Sequence, residues 1–190
     1  LKTRFIVLLV IGILIAGAAS AQSWEDVDPA SVGWSAEKLE AIRRQSAVLR
    51  PTALMIVQDG RVIARWGDVS HKVNVASVRK SLLSALYGIA AAEGRIDLSA
   101  SLADLRIDDN APRLTATEKA ATVRDLLMAR SGVYHPAAHE TADIKRKRPE
   151  RGSHAPGAMW FYNNWDFNAL GSIYRQETGE DLFRSCERRI

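Results

Sequence analysis

Residues 77–93 are nearly all helix-forming, and Gly94 supplies a C-terminal stop. Val78, Leu82, Leu83, Leu86, Ile89 and Ala90 cover most of the circumference of that helix, which predicts a buried helix rather than a surface one. A helix of this kind sits inside a domain, so the rest of the chain has to be arranged around it. One polar stripe interrupts the apolar cylinder. Ser77, Lys80, Ser81 and Ser84 fall at i, i+3, i+4 and i+7. A buried lysine needs a partner or loses its charge.

Ser77 and Lys80 stand one helical turn apart, within reach of each other. A serine hydroxyl is a poor nucleophile until a base removes its proton. A lysine can be that base only while neutral, a form that burial and the positive end of a helix both favour. The same helix N-terminus stabilises negative charge on the serine or on a substrate oxygen. Two readings fit the segment: an activated nucleophile, or a capping Ser77 with Lys80 extended to solvent. The spacing recurs in Ser35-Ala36-Glu37-Lys38, where Ser35 is expected only to cap a helix over residues 36–48.

Some eighty residues later comes Tyr162-Asn163-Asn164. A Pro156-Gly157 turn precedes an aromatic stretch, and Asp166 or a neighbour is expected to start a helix that Gly179 stops. Tyr162 and Asn164 are thereby placed on a loop at a helix entrance, where side chains reach into a cleft. A tyrosine can shuttle a proton to a leaving group, and an asparagine can hold a substrate amide and an ammonium at once. Trp160, Phe161 and Trp165 read as a packed aromatic loop.

These pieces stand in a recognisable order. The opening helix follows Val32-Gly33-Trp34-Ser35, and strands over residues 53–58 and 61–66 flank Asp59-Gly60. The Ser77–Lys80 helix ends at Glu93-Gly94-Arg95-Ile96-Asp97-Leu98. Then come residues 122–133, from Thr122 to Val133, and the Tyr162–Asn164 motif leading into Asn168-Ala169-Leu170-Gly171. Over residues 29–183 this resembles the serine β-lactamase and penicillin-binding-protein superfamily. The likeness is to its branch of class C-like β-lactamases, D-alanyl-D-alanine carboxypeptidases, esterases and aminohexanoate-dimer hydrolases.

The resemblance implies an α+β fold, an antiparallel sheet flanked by helices, with this chain stopping before the later strands. It implies Ser77 as the acylated nucleophile, Lys80 as its base and Tyr162 as the proton relay. Asn164 would orient substrate and lysine, and the Ser77 N–H would be one oxyanion donor. Tyr134 is a further candidate for the cleft. The third motif, Lys-Thr-Gly or His-x-Gly on an inner strand, is expected well after residue 190, and nothing in the chain matches it. Loss of one oxyanion donor typically costs about 100- to 1,000-fold in rate.

Residues 1–21 read as a secretory signal peptide: Lys2 and Arg4, an apolar run, then Ala19-Ser20-Ala21 before Gln22. Residues 22–190 then form the N-terminal part of a single hydrolase domain, periplasmic or secreted. The only membrane association expected is through an uncleaved signal. Without Lys2 and Arg4 the balance is about +2, too little to argue for nucleic acid. The run Lys145-Arg146-Lys147-Arg148-Pro149-Glu150-Arg151 reads as a solvated loop. Cys186 is the lone cysteine, which excludes an internal disulfide. His71, His135, His139 and His154 lack the spacing of a zinc site, so neither metal nor cofactor is expected.

The leading reading is a secreted serine hydrolase acting through an acyl-enzyme on a small ester, amide or β-lactam. Within it, an esterase or amidase is favoured over a dedicated β-lactamase, because the aromatic loop suits an apolar acyl or alkyl group. The alternatives are a non-catalytic binder of peptides or cell-wall fragments, and an inactive fragment.

Overall fold

The computed structural model describes residues 24–190; the expected signal peptide lies outside the described residues. The chain divides into two compact units, one ending at Val73 and one spanning Asn74–Ile190.

In the first unit, Ser35 caps α1 (Ala36–Leu49) by accepting the Lys38 N–H, as its sequence predicted. Strands β2 (Ala53–Gln58) and β3 (Arg61–Gly67) pair antiparallel around Asp59 and Gly60. Both turn residues have positive φ, 50° and 74°, which suits the right-handed twist of a two-residue hairpin. The sheet is not purely antiparallel, however. A two-residue strand β1 (Glu25–Asp26) adds parallel to β3, giving the order β1-β3-β2. Two residues are too few to show an alternating pattern, so the sequence carried no signal for it.

The second unit is helical. A 3-10 turn (Ala76–Val78) runs directly into α2 (Arg79–Ala92). Two short helices follow, α3 (Ala116–Lys119) and α4 (Val123–Leu127). Each opens on a capping box, Thr115 with Glu118 and Thr122 with Asp125. Then come α5 (Ala142–Lys147), α6 (Asn164–Thr178) and α7 (Leu182–Arg189). Gly179 ends α6 in the left-handed conformation, as expected.

The core of this unit sits where α2, α4 and α6 meet. Leu83, Leu86, Tyr87 and Ala90 of α2 are buried with Val123 and Leu126 of α4 and Leu170, Ile173 and Tyr174 of α6. Each fully buried leucine or isoleucine stabilises by about 1.5–3 kcal/mol. The Tyr87 hydroxyl donates to the Leu170 carbonyl at 2.6 Å, and its ring packs 5.8 Å from that of Tyr174. These contacts fix α2 against α6.

The expectation of a helix buried all round is corrected. α2 buries one face, while its Leu82 and the Val78 of the preceding turn remain 39% and 67% exposed. Apolar composition marks which residues are able to be buried; only the packed neighbours decide which are.

Two loops frame the site. Residues 129–135 run beside residues 154–161, joined by Gly157 N–H to Arg130 O at 2.8 Å and Phe161 N–H to Ala129 O at 3.0 Å. Gly132 has φ 70°, and a Cβ there would lie 2.8 Å from the His154 carbonyl oxygen. Only glycine lets these two backbones come so close.

Candidate functional site

Ser77 sits in the 3-10 turn that opens α2 and is solvent-exposed. The turn is locally strained. Ala76, which is not glycine, is held at φ 44° just before the serine. The Asn74 carboxamide accepts the Ala76 N–H at 2.9 Å and supports that conformation. Ser77 does not act as a side-chain cap: the cap positions are Val75 for the turn and Val78 for α2, and neither has a side-chain cap bond.

One turn on, half-buried Lys80 meets both halves of the motif. Its Nζ donates to Ser77 Oγ at 2.9 Å, to the Tyr162 hydroxyl at 2.7 Å and to Asn164 Oδ1 at 3.0 Å. An ammonium has three N–H donors, and here each has an acceptor. The Tyr162 hydroxyl donates in turn to Ser77 Oγ at 2.7 Å. Lys80 Nζ also lies 4.9 Å from the centre of the Tyr162 ring and 5.0 Å from that of Phe167. Ser77, Lys80, Tyr162 and Asn164 are therefore brought together, as expected from sequence.

Burial pushes the Tyr162 phenol up, but hydrogen bonds to Lys80 and Ser77 and the nearby charges of Lys80 and Arg79 outweigh it. The phenol is held below the usual tyrosine range. A phenol so placed exchanges protons more readily with its two neighbours.

The helix expected to start at Asp166 or a neighbour begins two residues before it, so Asn164 is its first residue rather than part of the preceding loop. Asn163 is its N-cap, accepting the Trp165 N–H at 3.1 Å. Its carboxamide also donates to the Val133 carbonyl at 2.6 Å. Sequence reasoning missed this residue, although consecutive asparagines before an apolar run are a capping signal. Trp165 Nε1 donates to Asp109 Oδ2 at 2.7 Å, and His135 Nδ1 shares that oxygen at 2.9 Å. Tyr162 and Asn164 thus stand on either side of a residue anchored into the protein.

Tyr134 is not at the cleft. It is buried, with its ring edge-on to Phe161 and His154 at 5.9 and 6.0 Å. The aromatic loop is only partly packed: Trp165 is buried and Phe161 half-buried, but Trp160 is 57% exposed. The basic run is not a plain loop either. Its first three residues end α5, which Thr141 caps, and Arg146 and Lys147 pair with Asp143. Arg148 pairs with Glu140, whose side chain is buried, and Arg151 makes a two-pronged contact with Glu118 at 2.9 and 2.7 Å. Alternating acids at Glu140 and Asp143 were the available signal. Among the described residues no three His, Cys, Asp or Glu side chains converge as a metal site.

A cavity of about 570 Å³ opens beside Ser77 and Lys80. Leu82, Leu83 and Leu86 of α2 form one wall, with Phe167 of α6 and Leu182 and Cys186 of α7 opposite.

The sequence matches the family described as Beta-lactamase over residues 37–190. No curated protein matches the chain. Among solved structures it resembles a class C beta-lactamase in complex with cefoxitin, at 15% identity and TM-score 0.60, covering 86% of this chain and 49% of that one. The octameric penicillin-binding protein homologue from Pyrococcus abyssi follows at 19% and 0.58, covering 81% and 42%. A D-alanine carboxypeptidase from Burkholderia cenocepacia matches at 20% and 0.54, covering 82% and 48%. The chain spans less than half the length of each, and at these identities the likeness is one of fold. With the family match covering most of the sequence, this chain belongs to the beta-lactamase family.

Proposed function

We propose that the protein is an exported serine hydrolase that works through an acyl-enzyme on Ser77. The observation that carries this reading is the triangle of Ser77 Oγ, Lys80 Nζ and the Tyr162 hydroxyl, every side 2.7–2.9 Å. With Lys80 neutral, the Ser77 proton passes to Nζ directly or through the Tyr162 oxygen. Oγ then forms a bond to the substrate carbonyl carbon. As the tetrahedral intermediate collapses, the leaving atom takes a proton from Tyr162, which Lys80 replaces. Deacylation runs the same relay in reverse, with water as the nucleophile. Asn164 holds Lys80 in place throughout. The Ser77 N–H, among the first of its helical segment and so without an intrahelical acceptor, is one oxyanion donor.

The substrate is a small ester, amide or β-lactam, and an ester or amide with an apolar acyl group is favoured. Its apolar part fits the leucine-walled cavity beside Ser77, which is within the volume range of small-molecule sites. Export rests on the leader expected over residues 1–21. Among the described residues no helix is long and apolar enough to cross a membrane.

A second reading is ligand capture without turnover: Lys80 Nζ is engaged by three oxygens, those of Ser77, Tyr162 and Asn164, and an amine that donated to all three would have no lone pair left for the Ser77 proton. Reaction with a fluorophosphonate separates the two readings. A hydrolase is labelled, and the label is lost in Ser77→Ala and kept in Ser81→Ala. A binder shows saturable ligand uptake and no adduct in any variant.

A further inference from the structure

Asp109 is an acid that the proposed chemistry does not use, yet it is bonded to the residue beside Asn164. Its Oδ1 accepts the Asn110 N–H at 2.7 Å. Its Oδ2 accepts two more bonds, from Trp165 Nε1 at 2.7 Å and from His135 Nδ1 at 2.9 Å. Both donors are buried, and their rings meet edge-on with centres 6.1 Å apart. One carboxylate oxygen thus closes a triangle with an indole and an imidazole. Bonds accepted by a carboxylate are stronger than those to a neutral oxygen.

The parts of the triangle are held from outside. Asp108 Oδ1 accepts the Asp109 and Leu114 N–H groups at 2.9 Å each, and its Oδ2 takes Lys119 Nζ at 2.7 Å. The loop that carries Asp109 is thereby tied to itself and to α3. His135 Nε2 lies 3.7 Å from Glu118 Oε1 and has no hydrogen-bond partner among the described residues. The bond to Asp109 is therefore the one that sets the imidazole.

We propose that Asp109 is a positioning residue for the acyl-transfer site: by holding the Trp165 indole against His135 it fixes the rotation of the first turn of α6 and aims the Asn164 carboxamide at Lys80. Asn164 and Trp165 are the first two residues of that helix, so their side chains leave its axis about 100° apart and turn together. Holding the indole holds the carboxamide. Asp109 reaches the reacting atoms only through Trp165, Asn164 and Lys80. Misplacing a site group by about 1 Å can cost about 100-fold in rate.

The proposal rests on the hydrolase reading, so its test has one readout that depends on activity and one that does not. The first is Ser77 labelling by a fluorophosphonate, resolved into its maximal rate and its half-saturating concentration. Asp109→Leu removes both bonds and is expected to lower the maximal rate about 10- to 100-fold, with half-saturation little changed. Asp109→Asn keeps an oxygen that can accept both N–H groups and is expected to stay within about threefold of wild type. In an Asn164→Ala background, Asp109→Leu is expected to cost less than about twofold more, because its route to Lys80 is gone. A merely structural role would cost the same in both backgrounds. A wild-type rate in Asp109→Leu, equal losses in both backgrounds, or an Asp109→Asn as slow as Asp109→Leu overturns the proposal. If Asp109→Leu does not fold, Trp165→Phe, which keeps a ring and removes the donor, takes its place with the same expectations.

The second readout is NMR. In the wild-type protein the Trp165 indole N–H is expected to exchange with solvent far more slowly than that of exposed Trp160. The Asn164 side-chain amide signals are expected to move when the indole bond is removed. A freely exchanging Trp165 indole, or an Asn164 amide that ignores the change, overturns the proposal. Absence of labelling in every variant sinks the hydrolase reading and leaves the NMR readout to decide the role of Asp109.

Discussion

Lys80 Nζ donates to Asn164 Oδ1 at 3.0 Å, joining two side chains 84 residues apart in sequence. The bond gives Lys80 its third acceptor and fixes where the amine points. Hydrogen bonds to charged groups contribute about 1.5–3 kcal/mol. Asn164→Ala is therefore expected to slow Ser77 acylation by about 10- to 100-fold. Single-turnover labelling measures the rate, and circular dichroism checks that the helical content is unchanged.

Tyr162→Phe keeps the ring beside Lys80 and Phe167 but removes the oxygen that bridges Lys80 and Ser77. General acid–base groups contribute about 10²- to 10⁴-fold, and a loss in that range is expected in both acylation and deacylation. Pre-steady-state ester hydrolysis resolves the two phases. A variant that loses only affinity would contradict the relay.

Leu170 is fully buried between α2 and α6, and its carbonyl accepts the Tyr87 hydroxyl. Leu170→Ala is expected to destabilise the protein by about 2–5 kcal/mol through the cavity it leaves. Denaturant unfolding reads this directly. A cost below about 1 kcal/mol would mean that the α2–α6 contact is not central to the core.

Stability should fall on both sides of a mildly acidic optimum. Asp166 has a folded-state value raised to about 7 by burial. The stability it confers is full below the ordinary carboxylate range and is lost as pH rises through that value. Glu118 has the opposite sign. The hydrogen bonds from Arg151 hold it down at about 2, so its contribution is full above the ordinary range and is lost as pH falls toward that value. In thermal melts, Asp166→Asn is expected to reduce the decline toward neutral pH, and Glu118→Gln to lessen the acid one, to which Asp108 and Glu180, also held down by their hydrogen bonds, contribute as well.

Much of the site was legible because it is built from local signals. Ser77 and Lys80 are one helical turn apart, and Tyr162 precedes a helix start, so their types and spacing could be read directly. Their convergence depends on α2 packing against α6 through Tyr87, Leu170 and Tyr174, which no local pattern specifies. Tyr134 shows the limit most clearly. It follows Gly132 and so belongs to a loop, but the close approach of residues 154–161 turns its ring inward. Asp166 and Ser131 were opaque for a related reason. Each is an ordinary polar residue on its own, and only the fold makes them a buried pair. α5 was missed because its basic run resembles a solvated loop until Thr141 and Asp143 are seen as cap and counter-charge.

The most direct test of the central claim is to trap the acyl-enzyme and map it. Trypsin cuts after Lys72 and Arg79, giving the peptide Val73-Asn74-Val75-Ala76-Ser77-Val78-Arg79, whose only hydroxyl is that of Ser77. After a short incubation with an activated ester and an acid quench, this peptide is expected to carry the mass of the acyl group. The adduct should vanish in Ser77→Ala and persist for longer in Tyr162→Phe. Product release with no adduct on this peptide, or an adduct elsewhere, would contradict the account.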